Sequence, residues 1–513
     1  MTEIEAQCSH NLLTDPLIRV QREDGSSEYL TLPGVLAMLS AGKKYMAFPG
    51  LQAHQWPSWY TFLVQLSALS GAGASPPTSE GAWLEQLRGL TSRFTRDEPW
   101  CLSVTDLTRP AFMQPPVPEN TLERFKGPHP SPDSSDIDVL FTSDHHELKM
   151  DRLTGAYPEH WIYGLIAYQT FSGYAGKGNY GIIKMNSGTA TRVIVGLTPE
   201  RRWSSSYLRD LAVLQSRHTG LAAKYGLPES GGHSLLWIPP WNGKESIPWA
   251  DCDPYAIEIS RRVRLWEQSG KLLAYHCASE APRLSPKSDV LKGNVGDPWI
   301  PISDEGTAVN VGSAGWNYKR TRQIILGDGY SWSPCQQPQD HDPEELWFYA
   351  VALARGQGKT EGFHERWIHI PRRIRSRLFD ASSRQELSRT AKERVDQAGQ
   401  VRRALHNALV VLLAGAPDHR PDFRDQSDQR WLRRFDARVD SEFFPRLWDD
   451  ADLDKHEHRK RWDHFLRRLA EEEILPQAER EAPIADARKE RARAVAWMSL
   501  RGQLNRILTD ARE

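Results

Sequence analysis

Cysteine is scarce in this chain. The 513 residues include only five cysteines, and no two of them form a CxxC pair. A disulfide framework and a structural zinc site are both disfavoured, because each needs cysteines at defined spacings. No apolar run is long enough to cross a membrane, and no apolar segment follows a basic start as in an export signal. We therefore expect a cytoplasmic protein that is neither exported nor anchored in a membrane.

The chain also lacks an excess of charge of either sign. Its 65 Lys and Arg residues and 66 Asp and Glu residues give a formal net charge of −1. Any nucleic-acid surface must therefore be local, and partners are a possible source of much of the affinity. Tryptophan, by contrast, is abundant, with 19 residues. We expect many of them to anchor the core and some to offer stacking surfaces.

The motifs of common enzyme classes are missing or incomplete. There is no GxSxG nucleophile elbow. Residues 354–366 read ARGQGKTEGFHER and contain Gly358-Lys359-Thr360, which is how a nucleotide-binding P-loop ends. That motif needs a glycine where Leu353 stands, and no β-strand run ending in a glycine-rich turn leads in. Two alternatives remain for this segment: a loop that contacts nucleic acid through its glycine backbone and Gln357, or an ordinary surface turn.

Candidate metal ligands occur as neighbours in sequence and form no convergent set. The pairs are His145-His146 and His341-Asp342, and a third group is His456-Glu457-His458. His456 and His458 would lie on opposite sides of a helix, so they cannot bind one ion together. We interpret residues 340–343 as a polar loop that caps a helix beginning near Glu344. We predict no metal, no cofactor and no enzymatic activity.

Hydrophobic spacing predicts an α+β fold with a large mixed N-terminal domain over residues 1–375. Short β-type runs flank Asp24-Gly25 and indicate a hairpin. Apolar spacing predicts helices over residues 56–69 and 160–171. Strands are predicted at Ile182-Ile183 and at residues 192–195, and residues 230–345 are rich in turns and short strands.

Residues 376–513 have the pattern of an antiparallel helical bundle of the four-helix type. Proline-containing breaks are predicted at residues 415–417 and at Pro445, Pro476 and Pro483. Three apolar helix faces support this prediction: Val395, Ala398, Leu405, Leu409 and Leu412; Trp462, Phe465, Leu466 and Leu469; and Ala496, Leu500, Leu504 and Ile507.

Several segments, taken in order along the chain, together have the pattern of one known family. They are residues 11–18 (NLLTDPLI), a glycine-rich stretch at 173–188 followed by a strand, residues 237–240 (WIPP), residues 245–248 (ESIP), residues 356–366 and the late helical bundle. In this order and position they resemble the CasA family, the large subunit of Cascade, which is the type I-E CRISPR surveillance complex. The resemblance extends nearly from end to end.

The resemblance implies a non-catalytic DNA-binding subunit at one end of a crRNA-guided ribonucleoprotein complex. Such a subunit inspects duplex DNA for a protospacer-adjacent motif (PAM), helps to open the duplex and form the R-loop, steadies the displaced strand and recruits a helicase-nuclease for antiviral defence. The implied partners are the backbone, handle-binding and small subunits of Cascade, the crRNA, double-stranded target DNA and the helicase-nuclease. Exchange of a DNA duplex for a hybrid is nearly balanced in free energy, so a protein must start the opening.

Family members place a glycine-rich loop against the PAM duplex, and here Gly173, Gly176, Lys177 and Gly178 resemble that loop. Readout of the minor groove is degenerate, so tolerance of several PAMs is expected. The alternative is a simple glycine turn. The family also inserts a hairpin lysine into the groove, and Lys271 in Ser269-Gly270-Lys271 resembles it, although the neighbouring cysteines of some members are missing here.

The family further uses a glutamine wedge beneath the PAM. Gln357 matches it chemically, whereas a gapless alignment through Glu365-Arg366 places Lys359 or Thr360 there. In the family another loop anchors the subunit at the crRNA handle, and Phe141, Thr142 and Ser143 resemble the start of that loop. The alternative is that Phe141 is an ordinary buried residue.

Other basic residues are also candidates to contact nucleic acid. The run from Arg366 to Arg377 either follows phosphates or belongs to an amphipathic segment with solvated arginines. Arg402 and Arg403, or Arg467 and Arg468, are candidates to face the displaced strand. A structural scaffold without DNA contact and a nucleotide-binding enzyme remain as alternative functions.

Overall fold

The computed structural model describes residues 7–43, 47–73, 75–126, 133–139, 157–186, 191–285, 292–356, 359–414, 428–482 and 486–508. It divides the chain into two compact units. The first comprises Met1–Trp316 and Gly329–Ile370, and the second comprises Asn317–Asp328 and Pro371–Glu513. The first unit mixes helices with strands and the second is helical, so the α+β class predicted from the sequence is confirmed.

The first unit contains the strands of the described residues and five of their α-helices. The helices are α1 (Leu32–Ser40), α2 (Trp56–Leu69), α3 (Glu80–Leu90), α4 (Pro158–Thr170) and α5 (Tyr207–Tyr225). The strands are β1 (Cys8–Asn11), β2 (Ile18–Gln21), β3 (Ser27–Leu30), β4 (Cys101–Val104), β5 (Ile194–Thr198), β6 (His233–Leu235), β7 (Ile247–Pro248), β8 (Cys252–Ile257), β9 (Arg262–Gln268), β10 (Lys271–Cys277), β11 (Leu284–Ser285), β12 (Ile302–Ser303), β13 (Tyr330–Ser331), β14 (Leu346–Gly356) and β15 (Lys359–Ile370).

Most of the sheets in this unit are small. Over the described ranges, six consist of two strands, and one has three antiparallel strands in the order β15-β14-β5. Strands β14 and β15 form a long hairpin, paired from Leu346↔Ile370 to Gly356↔Lys359. β9 and β10 form a second hairpin, and β2 and β3 form the one predicted around Asp24-Gly25.

Helix α2 lies at the centre of the first unit. It is buried on nearly every side from Trp56 to Ser67, as expected of a helix enclosed by protein. The rings of Trp59 and Tyr163 pack edge to face, and Trp56 stacks on Trp203. Tryptophans therefore serve as core anchors, as predicted. Those of this unit with fully buried side chains include Trp59, Trp83, Trp100, Trp161, Trp237 and Trp299.

The structure confirms the helices predicted at residues 56–69 and 160–171 and corrects two other local predictions. Ile182-Ile183 is not a strand. The Ile183 N–H donates to the Glu258 carboxylate at 2.9 Å and has no partner in a sheet. No helix begins near Glu344, where the chain leads into β14. Asp342 instead accepts a hydrogen bond from Arg209, with Nε and Oδ1 2.7 Å apart.

The second unit is a helical assembly built on the long helix α8. Its helices are α6 (Tyr318–Leu326), α7 (Arg372–Phe379), α8 (Ala381–Ala414), α9 (Gln429–Asp449), α10 (Lys455–Arg468), α11 (Leu475–Glu481) and α12 (Asp486–Ile507). A π-helical segment, Leu469–Ile474, joins α10 to α11. The Tyr318 ring of α6 packs on Phe443 of α9 with ring centroids 4.9 Å apart. Asn317–Asp328 thus packs with the later helices.

The predicted breaks in this unit differ in outcome. Residues 415–417 and Pro483 lie outside the described residues. Pro445 lies inside α9, so the break predicted there is wrong. A proline removes one backbone donor from a helix, but Phe443, Phe444 and Leu447 beside it are buried, and this packing keeps the helix continuous. Pro476 directly follows the π-helical segment and lies within a helical path that continues from α10 through α11, so the break predicted there is also wrong.

Candidate nucleic-acid interface

The glycine-rich segment forms a closed loop over residues 173–181. Within it, the Ala175 N–H donates to the Asn179 carbonyl at 2.9 Å, and the Asn179 N–H donates to the Gly176 carbonyl at 3.0 Å. At its base, the Ile182 N–H donates to the Ser172 carbonyl at 3.1 Å. These three backbone hydrogen bonds close the loop on itself.

Arg261 holds the two sides of this loop together. Its Nη2 donates to the Gly173 carbonyl at 2.7 Å, and its Nη1 donates to the Tyr180 carbonyl. The residue is only 5% exposed, and its guanidinium lies over the Tyr168 ring. Burial and, to a smaller extent, the nearby Arg355 cation lower the pKa of Arg261. A buried side chain that bonds both ends of a loop restricts the loop to one conformation.

The four candidate residues of the loop fall into two classes. Gly173 and Gly178 are buried, and a Cβ on Gly178 would lie 2.8 Å from the Ala278 Cβ. These glycines thus allow the loop to close and pack. Gly176 has a φ of +99° with no atom within 4 Å of a Cβ added there, and Lys177 is exposed. Gly176 and Lys177 are therefore the two candidates that a ligand can approach.

A β-strand leads directly into the second glycine-rich segment. Strand β14 ends at Gly356, which pairs with Lys359 at the start of β15. The expectation that no strand precedes this segment is therefore wrong. The P-loop remains excluded, because Lys359 and Thr360 begin a strand where that motif requires a helix. Gln357 joins the two strands but lies outside the described residues, as do Phe141, Thr142 and Ser143.

The structure brings the glycine-rich loop and the β14–β15 hairpin together through Thr191. Thr191 forms a β-bridge with Ser172 at the base of the loop. It also bonds to Leu353 of β14 in both directions: its N–H donates to the Leu353 carbonyl at 3.1 Å, and its Oγ1 accepts from the Leu353 N–H at 2.9 Å. Leu353 is three residues before Gly356, so the base of the loop lies beside the last residues of β14.

Lys271 lies away from this pair of loops. It is exposed at the start of β10, directly after a turn in which Ser269 and Gly270 both have positive φ, as in a type I′ hairpin. The glycine-rich loop packs against Ala278 and Ser279, beyond the other end of β10. Six residue steps in a strand span about 20 Å. One duplex would contact both sites only by running along the β9–β10 hairpin.

Sequence reasoning missed three residues near the glycine-rich loop. Arg261 gives no local signal, because its partner Gly173 is 88 residues away in sequence. Tyr174 is 44% exposed on the loop and offers a ring for stacking. Lys126 is exposed, and its backbone pairs with His276, two residues before Ala278. An aromatic residue between glycines was a signal that could have identified Tyr174.

Several other basic candidates have acidic or polar partners. In the run from Arg366 to Arg377, Arg373 pairs with Asp449 at 2.6 Å and Arg377 with Asp452 at 2.7 Å. Arg402 pairs with Asp436, and Arg467 donates to Asn505. Exposed ion pairs of this kind contribute little free energy and open easily.

The candidate metal ligands do not converge. His456 is exposed while His458 is buried against Arg394, in line with the prediction that they face opposite ways. His145-His146 lies outside the described residues. Within the described ranges, no three His, Cys, Asp or Glu side chains are grouped so that they could hold a metal ion. No helix in these ranges is long and apolar enough to cross a membrane.

Comparison with solved structures identifies proteins of the same fold. Cse1 from Thermobifida fusca superposes with a TM-score of 0.64 at 14% identity, covering 98% of this chain and 99% of that one. Thermus thermophilus CasA (Cse1) superposes with a TM-score of 0.59 at 13% identity, covering 98% of this chain and 100% of that one. A chain of a CRISPR RNA-guided surveillance complex gives 0.55 at 13% identity, covering 96% and 100%.

Sequence comparison does not detect this relationship: no protein-family model and no curated protein sequence matches the chain. The resemblance to CasA predicted from short segments is confirmed at the level of the fold. This chain has the fold of the Cse1/CasA proteins along nearly its whole length.

Proposed function

We propose that this protein is the non-catalytic, DNA-binding large subunit of a crRNA-guided type I-E Cascade complex in the cytoplasm. It reads the PAM in duplex DNA, helps to open the duplex and form the R-loop, steadies the displaced strand and recruits a helicase-nuclease for antiviral defence. Its partners are the crRNA, the backbone, handle-binding and small subunits, and target DNA. The full-length likeness in fold to Cse1/CasA proteins supports this assignment.

One observation carries the proposal: the ordered glycine-rich loop lies beside the end of the β14–β15 hairpin. The Ser172–Thr191 bridge and the Thr191–Leu353 hydrogen bonds connect them. Reading a flank and opening the adjacent base step need two elements a short distance apart. A simple glycine turn would have no need of a buried arginine that bonds both of its sides.

The two elements have different tasks in this proposal. Gly176 has open space around it, so DNA can approach the backbone there closely, and Lys177 adds a cation for a phosphate or groove acceptor. Gln357, or Lys359 or Thr360 beside it, inserts at the base step next to the PAM. Unstacking one step costs on the order of a few kcal/mol, which phosphate contacts and the inserted side chain offset.

Lys271 and the segment Phe141-Thr142-Ser143 complete the proposed contacts. Lys271 reaches the groove of the same duplex about 20 Å from the glycine-rich loop. Phe141, Thr142 and Ser143 anchor the subunit at the crRNA handle.

R-loop formation tests the proposal against a structural scaffold. The guide-loaded complex is assembled with the wild-type chain or with Gln357→Ala, and DNA opening is followed with a fluorescent base next to the PAM. The proposal expects normal assembly and slower opening. Normal opening by Gln357→Ala, Lys359→Ala and Thr360→Ala alike would show that the chain provides no wedge.

A further inference from the structure

The second unit contains a polar cleft that the proposed function does not use. It has a volume of about 330 Å³. Its walls come from the end of α7, the first half of α8, the segment before α10 and α10 as far as Trp462. A cleft of this size is large enough for a small ligand.

Arg394 forms the most buried part of the wall. The residue is 1% exposed, and its Nη2 donates to the Asp450 carboxylate at 2.6 Å and to the His458 ring at 3.2 Å. Its Nε and Nη1 have no hydrogen-bond partner. Unpaired buried donors cost free energy. The guanidinium lies over the Trp462 ring, so it is a buried cation in the wall of the cleft with two unpaired nitrogens.

Basic residues outnumber acidic residues in the lining of the cleft, and one lining pair, Lys455 and Glu393, is bonded at 3.2 Å. Five basic and two acidic residues line it. Three acidic partners, Asp450, Asp452 and Asp463, bond lining arginines without lining the cleft themselves. The positive ends of these pairs thus face the cleft. The lining charges are Arg377, Arg389, Arg394, Lys455 and Arg459, with Glu386 and Glu393.

At neutral pH Arg394 is charged and His458 is neutral. Burial lowers the pKa of Arg394 to about 10, which leaves the group charged. Burial, with the adjacent Arg394 cation, lowers the pKa of His458 to about 4. The imidazole is then neutral and can accept the hydrogen bond from Arg394. Ser383 and Thr390 add hydroxyl donors to the lining.

We propose that this cleft binds a phosphate group. Several guanidinium groups and hydroxyls around a pocket suit a multivalent oxyanion, since arginine donates two parallel bonds to such groups. The cationic lining disfavours a metal ion. The phosphate belongs either to a free phosphate ester or to a nucleic-acid strand. The inference does not depend on PAM reading, which involves residues of the first unit.

Calorimetric titration of the full chain with inorganic phosphate, at ionic strength matched with chloride, tests the proposal. Saturable binding of one phosphate is expected. The double substitution Arg389→Ala/Thr390→Val changes an exposed and a half-buried position of the cleft and should weaken binding about tenfold. Arg394→Lys keeps the charge but loses the guanidinium fork, so it should also weaken binding. Arg433→Ala, at an exposed position of α9 outside the cleft, is the matched control and should bind normally.

Competition distinguishes the two sources of phosphate. Displacement of phosphate by single-stranded DNA would support a strand phosphate, and displacement by a nucleoside monophosphate alone would support a free ester. Absence of saturable binding would overturn the proposal. The proposal would also be overturned if Arg433→Ala and Arg389→Ala/Thr390→Val weakened phosphate binding equally, because the loss of affinity would then follow the overall charge of the protein. If Arg394→Lys does not fold, the double variant decides the matter.

Discussion

The buried guanidinium of Arg261 donates a hydrogen bond to the carbonyl of Gly173 at 2.7 Å, although the two residues are 88 positions apart in sequence. The same side chain also bonds the Tyr180 carbonyl, on the other side of the glycine-rich loop. An exposed loop is thus shaped by a buried residue. This relationship restricts the conformation of the loop.

Replacement of Arg261 by Met should impair flank-dependent DNA binding. The Gly173 and Tyr180 carbonyls would lose their donor, and each buried loss costs about 1 to 3 kcal/mol, so affinity for PAM-bearing duplex should fall about tenfold or more. Gel shifts with the assembled complex measure this change. Arg283→Met is the matched control, because Arg283 is also buried and bonds the Leu236 and Pro239 carbonyls elsewhere. Equal loss of binding in both variants would indicate general destabilisation.

Gly176→Val should weaken PAM docking by blocking close approach of DNA to the backbone. The site has room for a side chain, but its φ of +99° adds strain. Gly25→Val controls for the strain, because Gly25 has a φ of +83° and equally open surroundings in the β2–β3 hairpin. Comparable thermal stability with a binding defect only in Gly176→Val is expected. Undiminished binding by Gly176→Val would refute the assignment of this loop.

Lys177→Ala should reduce the salt dependence of DNA binding. If Lys177 neutralises one phosphate, the slope of log K against log salt should become shallower by about 0.9. Lys224→Ala, at an exposed position of α5 in the same unit, should leave the slope unchanged. Titrations at several salt concentrations measure both slopes. An unchanged slope for Lys177→Ala would remove Lys177 from the phosphate contacts.

Glu258, which accepts the Ile183 N–H just after the loop, should make stability depend on pH. Burial raises the pKa of Glu258 to about 7, above its ordinary value of 4.5. The folded state then binds more protons than the unfolded state between these values, so this contribution to stability is lost as the pH rises from about 4.5 to about 7. Denaturant unfolding of wild type and Glu258→Gln from pH 5 to 7 measures the difference. The wild type should lose stability relative to the variant, and parallel profiles would contradict the prediction.

Local periodicity was sufficient for part of the fold. Helix α2 and the β2–β3 hairpin were predictable because their signals lie within about fifteen neighbouring residues. Strand β14 was missed because its apolar run, LWFYAVALA, does not alternate with polar residues. A buried strand and a helix cannot be separated by periodicity in such a run. The helix break predicted at Pro445 was wrong because long-range packing, not local propensity, decides whether α9 continues.

The candidate site was predictable only as a set of residue types. The glycines and Lys177 were identifiable in sequence, but the division into buried Gly178 and open Gly176 depends on Ala278, a hundred residues away in sequence. The adjacency of the two loops depends on Thr191 and Leu353, which have no motif. The separation of Lys271 from the loop likewise follows from the length of β10.

Selection of flanking sequences tests the central claim most directly. The guide-loaded complex is assembled with and without this chain at one salt concentration and offered duplex targets with a randomised flank. We predict flank-selective binding that appears only when the chain is present and is lost with Arg261→Met. Equal binding with and without the chain would contradict the account and leave the protein as a scaffold.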